Sequence, residues 1–273
     1  MDNTNKNDND GDGGGGDGGG GDGETHEKDE DEEKLNLNRI HQILIQTKIE
    51  PAKSNKIVEL FRRFFSTNTN QEKLAGVDCE QGGYHEIIPR LFLGDYRLAM
   101  DTTRLKKLGF THILNAAEGR KFGQINTSAT YYEEVEIKYQ GFSIIDHPTY
   151  KIEVHFDEAV QFLKEALNNK KNRVYVHCQQ GISRSATLII AYLLQTYEDM
   201  SLLDAFQLVA IRRRIWPNDG FCRRLLQLEK DKKQKKDAEN MLPPSQIQTI
   251  ENELERCIVN DGNLDIQNLS KES

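Results

Sequence analysis

Cys178 and Arg184 are the residues of this chain whose types and spacing can do chemistry. They lie in His177-Cys178-Gln179-Gln180-Gly181-Ile182-Ser183-Arg184-Ser185, the pattern H-C-x-x-G-x-S-R-S. Ahead of it, Arg173-Val174-Tyr175-Val176 reads as a buried strand; behind it, Ala186 to Leu194 reads as a buried helix. A cysteine at a strand end, a short loop and a helix start together make an anion trap. The amides of Gln179, Gln180, Gly181, Ile182 and Ser183 turn inward, and the helix N-terminus adds partial positive charge. Gly181 permits a backbone angle or a close approach that a side chain obstructs. Arg184 can hold two phosphate oxygens in its planar fork. The same field favours the thiolate of Cys178. Ser185 can hydrogen-bond that sulfur and ease its departure from a covalent intermediate.

Phosphoryl transfer to a thiolate leaves an alkoxide or phenoxide, which needs a proton. The candidate acid is Asp146, in Phe142-Ser143-Ile144-Ile145-Asp146-His147-Pro148-Thr149-Tyr150. It closes an apolar, strand-like run, and Pro148 marks a loop directly after it. Asp157 is the rival, but it falls within the helical stretch Glu153 to Asn168 and is expected to face solvent. His147, a single histidine beside an aspartate in a loop, reads as solvated or capping.

The elements that must position these groups form an alternating series. Strands are expected around Leu91, Ile113, Ser143 and Val174, and helices around Leu105, Phe162, Ile189 and Leu208. Such alternation predicts an α/β domain, a central mostly parallel sheet with helices on both faces. The site then lies at the carboxyl end of the strand that enters the loop.

The sequence resembles the catalytic domain of the cysteine-dependent protein tyrosine phosphatase superfamily, and more narrowly the atypical dual-specificity phosphatases of the VHR type. Ile88-Pro89-Arg90-Leu91-Phe92-Leu93-Gly94 resembles the family's first strand. Leu105 to Gly119 resembles its helix–strand–turn unit, and Trp216-Pro217-Asn218-Asp219-Gly220-Phe221 the segment before its last helix. The resemblance spans about Tyr84 to Asp231. It implies a nucleophile at Cys178, a phosphate-binding and transition-state-stabilising role for Arg184, a general acid at Asp146 and a helping hydroxyl at Ser185. It also implies that Arg213 meets a second phosphate on the substrate. The loop departs from VHR-type loops at Gln179, Gln180 and Ile182, where charged residues and an aromatic are common; substrate preference is what this touches. Phosphoproteins, among them MAP-type kinases, are the implied substrates, and no metal or other cofactor is implied. A rhodanese-like sulfurtransferase needs neither Asp146 nor the Ser-Arg-Ser ending. A phosphatase-like binding module would usually have lost Cys178, Arg184 or Asp146. An RNA 5′-phosphatase would call for more basic flanks.

Composition agrees with this reading. The formal net charge of the 273 residues is −8, yet residues 1–34 alone hold 13 acidic and 3 basic side chains, leaving 31 acidic and 33 basic elsewhere. The remainder is nearly neutral, unlike a nucleic-acid binder. Cys79, Cys178, Cys222 and Cys257 show no C-x-x-C spacing, so neither zinc nor a disulfide framework is expected. No apolar run approaches membrane-span length. The N-terminus has neither a signal-peptide core nor a Met-Gly start. A catalytic thiolate needs a reducing compartment, so cytoplasm or nucleus is expected.

Four regions follow. Residues 1–34, acidic and with ten glycines, are expected to be a disordered tail. Residues 35–83 form a helical extension, with one helix from Leu35 to Thr47 whose apolar face is Leu35, Ile40, Ile43, Leu44 and Ile45. A second runs from Ser54 to Phe65. Residues 84–231 form the catalytic domain. Residues 232–273 form a C-terminal tail that opens on Lys232-Lys233-Gln234-Lys235-Lys236, read as the solvated end of the last helix, and Ser245 to Val259 offers a short amphipathic helix.

Overall fold

The computed structural model describes residues 22–49, 63–65 and 83–241. The first 21 residues, most of the Ser54–Phe65 segment, Cys79, Cys257 and the Ser245–Val259 segment lie outside the described residues.

Five strands form one sheet: β1 (Tyr84–Ile88), β2 (Leu91–Gly94), β3 (His112–Asn115), β4 (Lys138–Gly141) and β5 (Val174–His177). Their order is β1-β2-β5-β3-β4. Only β1 runs antiparallel, to β2; the pairs β2–β5, β5–β3 and β3–β4 are parallel. The stretch read as one strand from Ile88 to Gly94 is thus a hairpin. It turns at Pro89 and Arg90, the latter in the left-handed region at φ 72°, and Glu86 Oε1 accepts the Arg90 N–H at 2.7 Å.

Strands β2, β3 and β5 are buried on both faces, so they read as apolar runs and not as alternating ones. Alternate residues go to opposite faces. Leu91, Leu93, Leu114, Val174 and Val176 join the larger core. It is roofed by α5 (Phe156–Asn168), α6 (Arg184–Thr196), α7 (Leu202–Arg212) and α8 (Asp219–Met241). Phe92, Ile113 and Tyr175 join the smaller core. There they meet α2 (Tyr96–Ala99), α3 (Thr102–Lys107) and α4 (Ala129–Tyr132). Arg173 lays its guanidinium over Phe92 and Phe110, 4.7 and 5.4 Å from the ring centres.

Helix α1 (Asp22–Ile49) begins well before Leu35, so residues 22–34 are helical where a disordered tail was expected. The glycine run ends at Gly23, and the glutamates and lysines after it are good helix formers. Acidic residues also suit a helix N-terminal half. The buried stripe is Leu37, Ile40 and Leu44, one per turn, with Ile43 partly buried. Leu35 and Ile45, expected on that face, are half exposed. The stripe packs on α7 and α8, so α1 shares the larger core with the sheet.

Two other expectations shift. The strand read around Ser143 ends at Gly141. The ladder continues through Phe142, whose N–H reaches Asn115 O, and then Ile144 N–H turns back to Phe142 O at 2.9 Å, bending the chain out of the sheet. The last helix continues to Met241, past the boundary expected at Asp231, and carries the basic run in its final turns as that run was read. Lys232 Nζ donates to Leu194 O (2.8 Å) and Tyr197 O (2.7 Å), tying α8 to the C-terminal end of α6.

Candidate active site

Strand β5 is central and wholly buried, and it delivers His177 and Cys178 to the carboxyl edge of the sheet. His177 is fully buried, and burial pushes its imidazole down to about 4, so the ring is neutral at physiological pH. Its Nδ1 lies 3.1 Å from Cys178 O, and because a carbonyl accepts, Nδ1 carries the proton. This fixes the strand end from which the cysteine projects.

Cys178 is buried, only 2% exposed. Burial on its own would raise the thiol, but the Arg184 charge, the Ser185 hydroxyl and the Ser185 and Ile182 amides outweigh it, and the net shift is downward. Gly181 N–H and Ser185 Oγ each stand 3.2 Å from Sγ. The thiol is therefore easier to ionise than an ordinary cysteine, in a cradle of donors that also suits a phosphate.

Gly181 adopts φ 68°, and a Cβ there would collide with the Gly94 carbonyl at the end of β2. Both facts require glycine. The loop's carbonyls face outward to specific donors. Arg213 Nη2 donates to Gln180 O (2.7 Å) and Nε to Gly181 O (2.8 Å). In a trans peptide the N–H points opposite to the C=O. Holding the carbonyls of Gln180 and Gly181 outward therefore turns the amides of Gly181 and Ile182 inward, to the sulfur. The remaining nitrogen of Arg213, Nη1, donates to Gly83 O (2.8 Å) and lies 3.2 Å from His85 Nδ1. Arg213 thus holds the loop through the carbonyls of Gln180 and Gly181 and ties it to Gly83.

Arg184 is buried at the first turn of α6. Its Nη1 donates to Gly123 O (2.9 Å) and Ile144 O (3.2 Å), which fixes the plane of the guanidinium. Its Nε is buried without a hydrogen-bond partner and stands 3.6 Å from Asp146 Oδ2. A buried cationic donor left over in this way is what a phosphate oxygen satisfies.

Asp146 stands in the loop beyond β4, with its side chain 37% exposed. Its Oδ1 accepts from Ser183 Oγ (2.8 Å) and Asn218 Nδ2 (2.9 Å). The structure thus brings Cys178, Arg184, Ser185, Ser183 and Asp146 together. Asp157 stays on the exposed face of α5, accepting from Gln195 at 3.1 Å. His147 pairs locally with Thr149 at 2.9 Å. Gln179 and Ile182 are partly exposed on the loop and Gln180 is exposed.

Sequence reasoning passed over Asn218 and Asn115. Asn218 caps α8 by accepting Phe221 N–H (3.0 Å) while its amide reaches the acid. Its place between proline and a helix signals the cap but not the second contact. Asn115 is buried and holds the turn after β3 by donating to Ile125 O, Thr127 Oγ1 and Tyr139 OH.

Among the described residues no group of three or more His, Cys, Asp or Glu side chains could hold a metal ion. Within them, no helix is long and apolar enough to cross a membrane.

Residues 91–231 match the model of the dual specificity phosphatase catalytic domain. The chain belongs to the dual specificity phosphatase family. It is 43% identical over 145 residues to dual specificity protein phosphatase 13B of Mus musculus, a match covering 53% of this chain and 72% of that one. Among solved structures, human DUSP28 is 25% identical, with 55% of this chain and 94% of that one covered and a TM-score of 0.46. The human tyrosine phosphatase-like serine/threonine/tyrosine-interacting protein is 34% identical, with 53% and 93% covered and a TM-score of 0.43. Membership makes this chain a dual-specificity protein phosphatase, a hydrolase acting on phosphoproteins. In this phosphatase the matched segment runs from β2 into α8 and holds Cys178, Arg184, Asp146 and Arg213.

Proposed function

We propose that this phosphatase hydrolyses phosphotyrosine and phosphoserine or phosphothreonine through a phosphocysteine at Cys178. The supporting observation is a buried cysteine whose sulfur lies 3.2 Å from both a loop amide and a hydroxyl, with its thiol lowered by Arg184. The thiolate attacks phosphorus in line, and the P–O bond to the substrate breaks. Arg184 and the amides from Gln179 to Ser183 hold the equatorial oxygens. Asp146 gives its proton to the leaving oxygen, becoming a carboxylate. Water then attacks the phosphocysteine, Asp146 takes its proton, and the S–P bond breaks with help from Ser185. Arg213 keeps the amides aimed at the sulfur.

MAP-type kinases are the substrates the family resemblance favours. Cytoplasm or nucleus is the compartment, because the thiolate must stay reduced.

The deciding experiment is hydrolysis of an aryl phosphate by the full chain, under reducing conditions with EDTA, beside Cys178→Ser and Asp146→Asn. The expected result is activity in the wild type, none above background in Cys178→Ser, and a loss of about a hundredfold in Asp146→Asn. A Cys178→Ser protein as active as the wild type would overturn the mechanism. Tight phosphopeptide binding by an inactive wild type would make the chain a phosphoprotein-binding module.

A further inference from the structure

Helix α1 reaches the segment beside the catalytic machinery through His41. His41 lies one residue beyond buried Ile40, and its ring stacks on Trp216 at 5.8 Å between centres, 1° from parallel. Its Nε2 stands 3.0 Å from Asp219 Oδ1. Glu33 accepts from Arg223 Nε at 2.9 Å further along the same helix pair.

The segment that His41 holds touches both the phosphate loop and the acid loop. Trp216 N–H donates to Ile182 O in the phosphate loop at 2.9 Å. Asn218 Nδ2 donates to Asp146 Oδ1 at 2.9 Å. Gly220 lies so near the acid loop that a Cβ there would collide with the Pro148 carbonyl. Residues 216–220 therefore join the phosphate loop, the acid loop and α1.

We infer that His41 is a positioning residue: by stacking on Trp216 and bonding Asp219 it fixes the segment from which Asn218 aims Asp146 at the leaving oxygen. The inference rests on the reading of Asp146 as proton donor. The magnitudes favour positioning over stability. His41 and Asp219 are 30% and 52% exposed at their side chains, so their pairing adds little to folding. The anchoring of α1 comes instead from Leu37, Ile40 and Leu44. A small displacement of a proton donor, by contrast, costs a large factor in rate.

The test is a double-mutant cycle in the full chain, with His41→Ala, Asp146→Asn and the double variant. Each is assayed on phenyl phosphate, whose leaving group needs a proton, and on a dinitrophenyl phosphate, whose leaving group does not. Compared by kcat/KM, which reports only the steps up to phosphocysteine formation, His41→Ala is expected to lower the rate on phenyl phosphate by about tenfold. It should change the dinitrophenyl rate far less, and cause no further loss once Asp146 is asparagine. Equal losses on both substrates, or the same loss with and without Asp146, overturn the inference and leave His41 a merely structural contact. No loss in His41→Ala on phenyl phosphate overturns it too. If Asp146→Asn alone fails to discriminate between the substrates, it is the reading of Asp146 that falls, and the inference with it. His41→Phe, which keeps a ring on Trp216, guards against a folding defect in the alanine variant. It is expected to retain part of the phenyl phosphate rate, and a loss equal on both substrates would again count against positioning.

Discussion

Cys178 and Cys222 are both buried, yet their thiols are pushed in opposite directions. Burial raises each of them. At Cys178 the Arg184 charge, a hydroxyl and two amides reverse the effect. At Cys222 burial is joined by Asp219, and the thiol goes up to about 12. Iodoacetamide near neutral pH should therefore alkylate Cys178 and leave Cys222 untouched, with inorganic phosphate protecting the former; peptide mapping reads the result. Arg213 affords a second test. Arg213→Met releases the carbonyls of Gln180 and Gly181, so the amides that stabilise the thiolate lose their aim. The rising limb of the pH–rate profile, which reports thiolate formation, should move to higher pH. Singly and doubly phosphorylated peptides should slow alike, whereas a residue that only met a second phosphate would slow the doubly phosphorylated one alone.

At the scale of elements, the strand–loop–helix unit around Cys178 was legible because its signals agree. An apolar run ends at a cysteine, a glycine stands where only glycine fits, and a buried helix follows. Ser143 misled because Ile144 and Ile145 continue an apolar pattern after the backbone has left the ladder; a strand is defined by its partner, which local pattern does not contain. The contacts of Asn218 and Arg213 were illegible for a related reason, since each joins segments far apart in sequence. Of the basic run read as solvated, Lys233, Lys235 and Lys236 are exposed, but Lys232 bonds the last carbonyls of α6, whose first turn carries Arg184. Lys232→Met should cost about 1–2 kcal/mol in urea unfolding, because two helix-end carbonyls lose a charged donor. The kcat on an aryl phosphate should stay within twofold of the wild type.

For the whole molecule, the question is whether α1 is an appendage or part of one folding unit. Leu37, Ile40 and Leu44 sit in the same core as Val174 and Val176 of β5 and Leu188 of α6. A helix that completes a shared core cannot leave without exposing it, so α1 and the sheet should unfold together. The chain has a single tryptophan, Trp216, and His41 of α1 stacks on it. Its fluorescence therefore reports the docking of α1, while far-ultraviolet circular dichroism reports helix content throughout. The two thermal transitions should coincide in the wild type. Ile40→Ala, which leaves a cavity in the core, should cost about 2–4 kcal/mol and lower Tm by roughly 5–15 °C. The two signals should move down together. A fluorescence change well below the main transition would instead make α1 a separately melting arm, and its hold on Trp216 would then be a local contact and not part of the fold's cooperativity.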